Sequence, residues 1–173
     1  EVYAQLTGLR PDDFTDVGQA DTLAGEYANK IRYSPATKWL AYDRGVWVEN
    51  NLLAQGVAQE LTSRQLAEVD HLVATSSEQM TATGAEQVIT GASSKARGIA
   101  NLDRAQLAAY QASQDAQAYR KLILGRRLSR NITATLREAA PILQVSVRDL
   151  DTNPYLLNTP GGTWDLREGP PRP

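Results

Sequence analysis

Cysteine is absent from the 173 residues, and aromatic side chains are few, with one Phe, three Trp and seven Tyr. Without cysteine the chain has no disulfides, no thiolate zinc ligands and no cysteine nucleophile, as is typical of a protein in a reducing cytosol. No apolar run approaches the roughly 18 residues of a membrane span, and no signal-peptide pattern opens the sequence. These absences predict a cytoplasmic protein without a membrane partner.

Groups that carry catalysis or bind metals are equally scarce. His71 is the one histidine, and its helical context predicts a surface residue instead of a ligand or base. The segment 91–95 ends in Lys but lacks the second Gly and the Ser/Thr of a phosphate-binding P-loop. The carboxylate pairs Asp12-Asp13 and Asp149-Asp151 are predicted to serve in turns and helix caps. We therefore expect no catalytic residue, metal site or cofactor in this chain.

The apolar residues are mainly Ala, Leu, Ile and Val, which favours packed helices. Three short segments, 31–33, 38–42 and 46–49, are instead rich in β-branched and aromatic residues, and Gly45 suits a hairpin loop between the last two. The segment 155–166 reads as a second hairpin. The predicted fold class is α+β, mainly helical, with a small antiparallel sheet near the N-terminus and a C-terminal hairpin.

Capping residues and breakers divide the rest of the chain. A helix capped by Thr15 or Asp16 is predicted over about 17–29, another from Asn51 to about Met80 with a possible break at Thr62-Ser63, and further helices from Asp103 until Pro141 stops them. Residues 81–101, rich in Gly, Ser, Thr and Ala, are predicted to be a loop or flexible connector. The predicted organisation is an arm over 1–14, one domain over 15–168 and a linker over 169–173.

Charge is distributed unevenly along the chain, although its formal net value is only −2. Residues 95–150 contain ten Lys/Arg and four Asp/Glu, whereas the rest contains eight Lys/Arg and sixteen Asp/Glu. Polarised charge of this kind makes one segment attractive to phosphate without making the whole domain basic.

The basic segment has helical order. If 119–137 forms one continuous helix, five arginines fall within an arc of about 120° at about 100° per residue. They are Arg120, Arg126, Arg127, Arg130 and Arg137. If Gly125 breaks the helix, the phase of Arg120 is lost and the other four remain aligned. Leu124, Leu128, Ile132 and Leu136 occupy the opposite arc, and Lys121 and Ile123 are exceptions. An arginine stripe opposite such a leucine seam is what a helix needs to pack on a domain while it faces a polyanion. Arginine forks suit phosphate, so the five arginines are candidate nucleic-acid contacts. The alternative is a solvated face that pairs with acidic residues of the 49–86 helices.

The three tryptophans lie in the strand-like segments, at Trp39, Trp47 and Trp164. Aromatic residues on a sheet can stack on unpaired bases, but in a small sheet they more often fill the core. We expect the core role.

Two stretches carry a resemblance to a known family. The first joins a helix from Thr15 to Ile31-Arg32-Tyr33, a Lys38-Trp39 hairpin and a return through Trp47-Val48; the second is the tail 150–167, with Pro154-Tyr155, Thr159-Pro160-Gly161-Gly162 and Trp164-Asp165. Together they resemble the accessory domain of phage and plasmid primases and of poxvirus-type primase–helicases, which precedes a superfamily 3 helicase motor. The two stretches cover about a third of the chain, and residues 50–118 depart from the family pattern.

The resemblance implies a non-catalytic segment of a replication protein in a bacterial host cell. The parent would carry an ATP-dependent helicase, with ATP and Mg as its cofactors, and often a primase. Implied partners are single-stranded or forked DNA, the adjacent helicase and primase domains, and further copies of the parent. The alternative function is a structural module for protein interaction or oligomerisation without DNA affinity.

Overall fold

The computed structural model describes residues 8–43, 46–146, 155–159 and 162–167. Within these ranges the chain forms six helices and two antiparallel sheets, which confirms the predicted α+β class and its helical predominance. The elements follow the order α1 (Asp16–Tyr27), β1 (Ile31–Ser34), β2 (Lys38–Asp43), β3 (Val46–Glu49), α2 (Asn51–Ala82), α3 (Ala85–Gly91), α4 (Lys95–Ala100), α5 (Arg104–Arg126), α6 (Ser129–Ile142), β4 (Leu156–Thr159) and β5 (Gly162–Asp165).

The residues divide into two compact units. The first comprises Glu1–Arg10 and Thr62–Leu128, and the second comprises Pro11–Leu61 and Ser129–Pro173. Helix α2 contributes residues to both units. The domain boundaries predicted from the sequence are not tested by this division and stay a prediction.

The second unit contains the three-stranded sheet in the order β1-β2-β3. Tyr33 pairs with Trp39 and Tyr42 with Trp47 across the strands, each with edge-to-face rings 5.3 Å apart. Such cross-strand aromatic pairs stabilise the register of the three strands. The three strands predicted from these β-branched and aromatic segments are confirmed. Trp39 is buried, as expected of a core residue, whereas Trp164 in the C-terminal hairpin is 36 % exposed.

Helix α6 closes the core of this unit. It packs against α1, and Ile132, Thr135 and Ala139 form its buried face. Beyond the helix, the Tyr33 amide donates to the Leu143 carbonyl and the Val145 amide to the Tyr33 carbonyl, so the chain continues the sheet beside β1. The prediction that Pro141 stops the helix is wrong: α6 runs to Ile142. A proline in the last turn removes only one helical hydrogen bond, and Leu143 still donates to Ala139.

In the described part of the first unit, every secondary-structure element is a helix. Val69 of α2 and Tyr119 and Ile123 of α5 form a fully buried cluster. Helix α2 is continuous through Thr62 and Ser63, so the possible break there does not occur. Helix α5 begins where predicted, because the Asp103 side chain accepts from the Gln106 amide and the Gln106 side chain accepts from the Asp103 amide.

The prediction of a loop over 81–101 is wrong, because this segment contains α3 and α4. Ser94 caps α4, and Gly98 allows the two helices to approach each other closely. A Cβ at Gly98 would lie 2.6 Å from Ile89 Cα. The glycine that suggested a loop is therefore a packing residue.

The C-terminal hairpin is confirmed by antiparallel pairing of β4 with β5. Its turn residues Pro160 and Gly161, the predicted linker 169–173 and the carboxylate pair Asp149-Asp151 lie outside the described residues.

Candidate nucleic-acid interface

The arginine-rich segment is built from two helices, so the continuous helix supposed over 119–137 does not form, and the break lies shortly after Gly125. Helix α5 ends at Arg126, Arg127 is its C-cap, and α6 begins at Ser129. The Arg127 amide donates to the Ile123 carbonyl and the Leu128 amide to the Gly125 carbonyl, which tightens the last turn. Gly125 lowers helix propensity by about 1 kcal/mol relative to alanine, which favours an end at this place.

The break changes the surroundings of the leucines predicted to form one seam. Leu124 and Leu128 are 45 % and 49 % exposed, whereas Ile132 is buried and Leu136 is half-buried. The predicted seam is therefore correct for the α6 residues and wrong for Leu124 and Leu128. Ile123, an exception in the helical pattern, enters the core together with Tyr119 of the same helix.

The break also separates the five candidate arginines. Arg120, Arg126 and Arg127 belong to the first unit, and Arg130 and Arg137 to the second. Arg126 is 8 % exposed, so its guanidinium has little access to a large ligand. The other four side chains are exposed.

Two of the exposed arginines have carboxylate partners. Arg120 Nε lies 2.8 Å from Asp70 Oδ1, and Arg137 Nη2 lies 2.9 Å from Glu138 Oε1. Exposed ion pairs of this kind contribute at most about 1 kcal/mol, but each places a negative charge beside the guanidinium. The expected pairing of the stripe with acidic residues of the 49–86 helices is therefore correct for Arg120.

Arg127 and Arg130 differ from Arg120 and Arg137 in their partners. Among the residues that the structure describes, neither has a carboxylate within 4.0 Å. Arg127 Nη1 instead donates to the hydroxyl of Ser63 at 2.9 Å and to that of Thr62 at 3.4 Å. Hydroxyls do not neutralise a guanidinium, so its positive charge remains available to an anion.

The anchoring of the N-terminal arm is a feature that the sequence analysis missed. The Gly8 and Leu9 amides donate to Glu68 Oε1, at 3.0 and 3.4 Å, and the Leu9 carbonyl accepts from Gln65 Nε2 at 2.8 Å. Tyr119 donates to Glu68 Oε2 at 3.0 Å. Burial, and next the neighbouring Glu68 charge and hydrogen bond, raise the pKa of Tyr119 well above its usual range. The Glu-Tyr spacing of 51 residues gives no local sequence signal for this contact.

Other candidate chemistry has a structural explanation. The Asp13 side chain accepts from the Thr15 amide at 2.8 Å in a turn before α1. In the described ranges no group of three or more His, Asp or Glu side chains is placed to hold a metal ion. No described helix is both long and apolar enough to cross a membrane.

Of the comparisons with known proteins, the one with family models agrees with the resemblance to primase–helicase proteins. No curated protein and no solved structure shows a significant match to this chain. A family model described as D5 N terminal like matches residues 20–173, which is most of the chain and includes the Trp39 hairpin, the arginine segment and the tail. The chain therefore belongs to the D5 N-terminal-like family, which forms the N-terminal region of D5-like primase–helicase proteins.

Proposed function

We propose that this chain is a non-catalytic accessory domain of a phage- or plasmid-type replicative primase–helicase. It links the primase to a superfamily 3 motor and helps that motor engage single-stranded or forked DNA or assemble its ring. ATP and Mg act in the motor, in the cytoplasm of the bacterial host. Family membership supports the replication context.

The observation that carries the DNA role is the state of Arg127 and Arg130. Both are exposed and, within the described ranges, have no carboxylate to neutralise them. Arg120 and Arg137 already have carboxylate partners and contribute less, and Arg126 is nearly buried. Exposed guanidinium groups bind phosphate without base specificity, as a motor-loading domain requires.

The test is fluorescence anisotropy of a labelled single-stranded oligonucleotide at two salt concentrations. Arg127→Gln/Arg130→Gln removes two positive charges, and Arg120→Gln/Arg137→Gln removes the same number from side chains that have acidic partners. We expect salt-sensitive binding that weakens roughly tenfold or more in the first variant at about 50 mM salt, and changes less than about twofold in the control. Absence of binding, or equal losses in the two variants, contradicts the DNA role.

The second candidate is a protein-interaction module, which the exposed Leu124 and Leu128 support. Two exposed leucines, one on α5 and one just beyond its end, suit a hydrophobic protein surface. Analytical ultracentrifugation of a protein that includes the downstream region separates the two functions. Self-association that Leu124→Asn/Leu128→Asn abolishes, without loss of DNA affinity, favours the interaction module.

A further inference from the structure

Ser63 and Arg127 are 64 residues apart in sequence, and their side chains meet at 2.9 Å in the first unit. We infer that Ser63 is a positioning residue that orients Arg127 for bidentate binding of a single-stranded DNA phosphate, an inference that rests on the proposed function. Ser63 carries no charge and has no place in the arginine pattern, so the sequence gives no reason to select it.

The backbone under Arg127 is fixed. Its amide donates to the carbonyl of Ile123, which is fully buried with Val69 of α2 and Tyr119 of α5. The helix end that carries Arg127 is thus attached to the packed core. Ser63 lies on α2, which contributes Val69 to that cluster, and Arg127 is the C-cap of α5. Donor and acceptor therefore belong to one packed unit.

The guanidinium is held along one side only. Its Nη1 donates to the Ser63 and Thr62 hydroxyls, and in the described part of the chain Nε and Nη2 have no hydrogen-bond acceptor. An arginine has five N–H donors in a planar fork. The Nε–Nη2 edge is therefore available to two oxygens of one phosphate, in the bidentate geometry that arginine favours.

Holding Nη1 in advance lowers the cost of binding. An exposed arginine loses rotamer freedom when a ligand fixes it, and this loss weakens binding. The Ser63 contact has already restricted those rotamers in the free protein. Arg120, seven residues earlier on α5, shows the contrasting case, because its Nε is occupied by Asp70 at 2.8 Å.

The experiment measures binding of a labelled oligothymidylate by this chain in a double-mutant cycle. Arg127→Gln is expected to reduce affinity roughly five- to tenfold at about 50 mM salt and to lower the salt slope by about 0.7, the value for one single-strand phosphate. Arg127→Lys keeps the charge but loses the fork, and is expected to retain the salt slope while binding less tightly.

Ser63→Ala is expected to weaken binding roughly two- to fivefold, whereas Ser63→Thr, which keeps the hydroxyl, is expected to bind like the wild type. In a protein that already carries Arg127→Gln, adding Ser63→Ala is expected to cause no further loss. Ser77→Ala, an exposed serine on the same helix, is the control and binds like the wild type. Circular dichroism establishes that each variant is folded.

Three outcomes overturn the inference. If Ser63→Ala binds DNA with wild-type affinity, Ser63 does not position Arg127. If Ser63→Ala does not fold, wild-type affinity in Arg127→Lys contradicts the positioning role instead. A loss confined to an Arg130→Gln variant leaves the proposed function intact but overturns this site. No binding by the wild-type chain overturns the proposed function itself.

Discussion

The Tyr119 hydroxyl donates to Glu68 across the two main helices of the first unit, and the other carboxylate oxygen accepts from the backbone at Gly8 and Leu9. One carboxylate thus joins α2, α5 and the N-terminal arm. Glu68 is 7 % exposed and Tyr119 is fully buried, so little water replaces a lost partner. Removing one member of such a network leaves a buried polar group with fewer hydrogen bonds.

Tyr119→Phe should therefore lower the free energy of unfolding by about 1–3 kcal/mol, because Glu68 loses a buried donor while the ring is kept. Tyr110→Phe is the matched control, since Tyr110 is half-buried and its hydroxyl has no hydrogen-bond partner in the described residues. It should change stability by less than about 0.5 kcal/mol. Urea denaturation followed by circular dichroism measures both, and equal effects would show that the Glu68 contact is not stabilising.

Gly98→Ala tests the close approach of α3 and α4. The added Cβ would lie 2.6 Å from Ile89 Cα and 2.9 Å from Ile89 O, both backbone atoms that cannot move aside as a flexible side chain does. We expect a loss of about 1–3 kcal/mol in the free energy of unfolding. Gly91→Ala is the control, because no atom lies within 4 Å of its added Cβ. An unchanged stability in Gly98→Ala would contradict the packing of these helices.

The ion pair between Asp165 and Arg167 in the C-terminal hairpin should depend on pH. Arg167 donates to the Asp165 side chain, from its Nε at 2.9 Å and from its backbone amide, and these bonds lower the pKa of Asp165 from 3.8 to about 2. Because the folded-state pKa is depressed, the stabilisation is present above the ordinary pKa and is lost as the pH falls from 3.8 towards 2. Carbon-detected NMR titration should give a midpoint near 2 for Asp165.

Arg167→Gln should return the Asp165 midpoint towards the ordinary value, because the charged donor is gone. Arg120→Gln, remote in sequence, should leave that midpoint unchanged. A midpoint near 3.8 in the wild-type protein would mean that the Arg167 contact is not formed in solution.

The elements that the sequence predicted well are those with local causes. The Asp103–Gln106 capping box is formed within four residues, and the β1–β3 strands follow from β-branched and aromatic runs with short turns. The Thr15 cap of α1 is equally local, since its side chain accepts from the Gly18 amide. In these cases the deciding contacts lie within a few residues, so the pattern contains them.

The errors lie where helix packing or a helix end decides the structure and the repeat of residue types does not. Residues 81–101 are rich in Gly, Ser, Thr and Ala, yet the segment contains α3 and α4, and Gly98 packs closely against Ile89. The arginine segment has a helical repeat, but the end of α5 at Arg126 divides it between two units. Packing decides the first case, whereas in the second the low helix propensity of Gly125 favours the helix end that interrupts the repeat.

By itself the sequence determined the fold class, the strand pairs and the basic character of residues 95–150, because residue type and short-range spacing fix these properties. It also carried the likeness to primase–helicase proteins that the family match bears out. Only the tertiary structure decided which arginines are neutralised by a carboxylate, which is nearly buried and which meets a hydroxyl. The physical reason is that a side chain's available charge depends on groups that the fold brings near it, and Ser63 and Asp70 lie 64 and 50 residues from the arginines they contact.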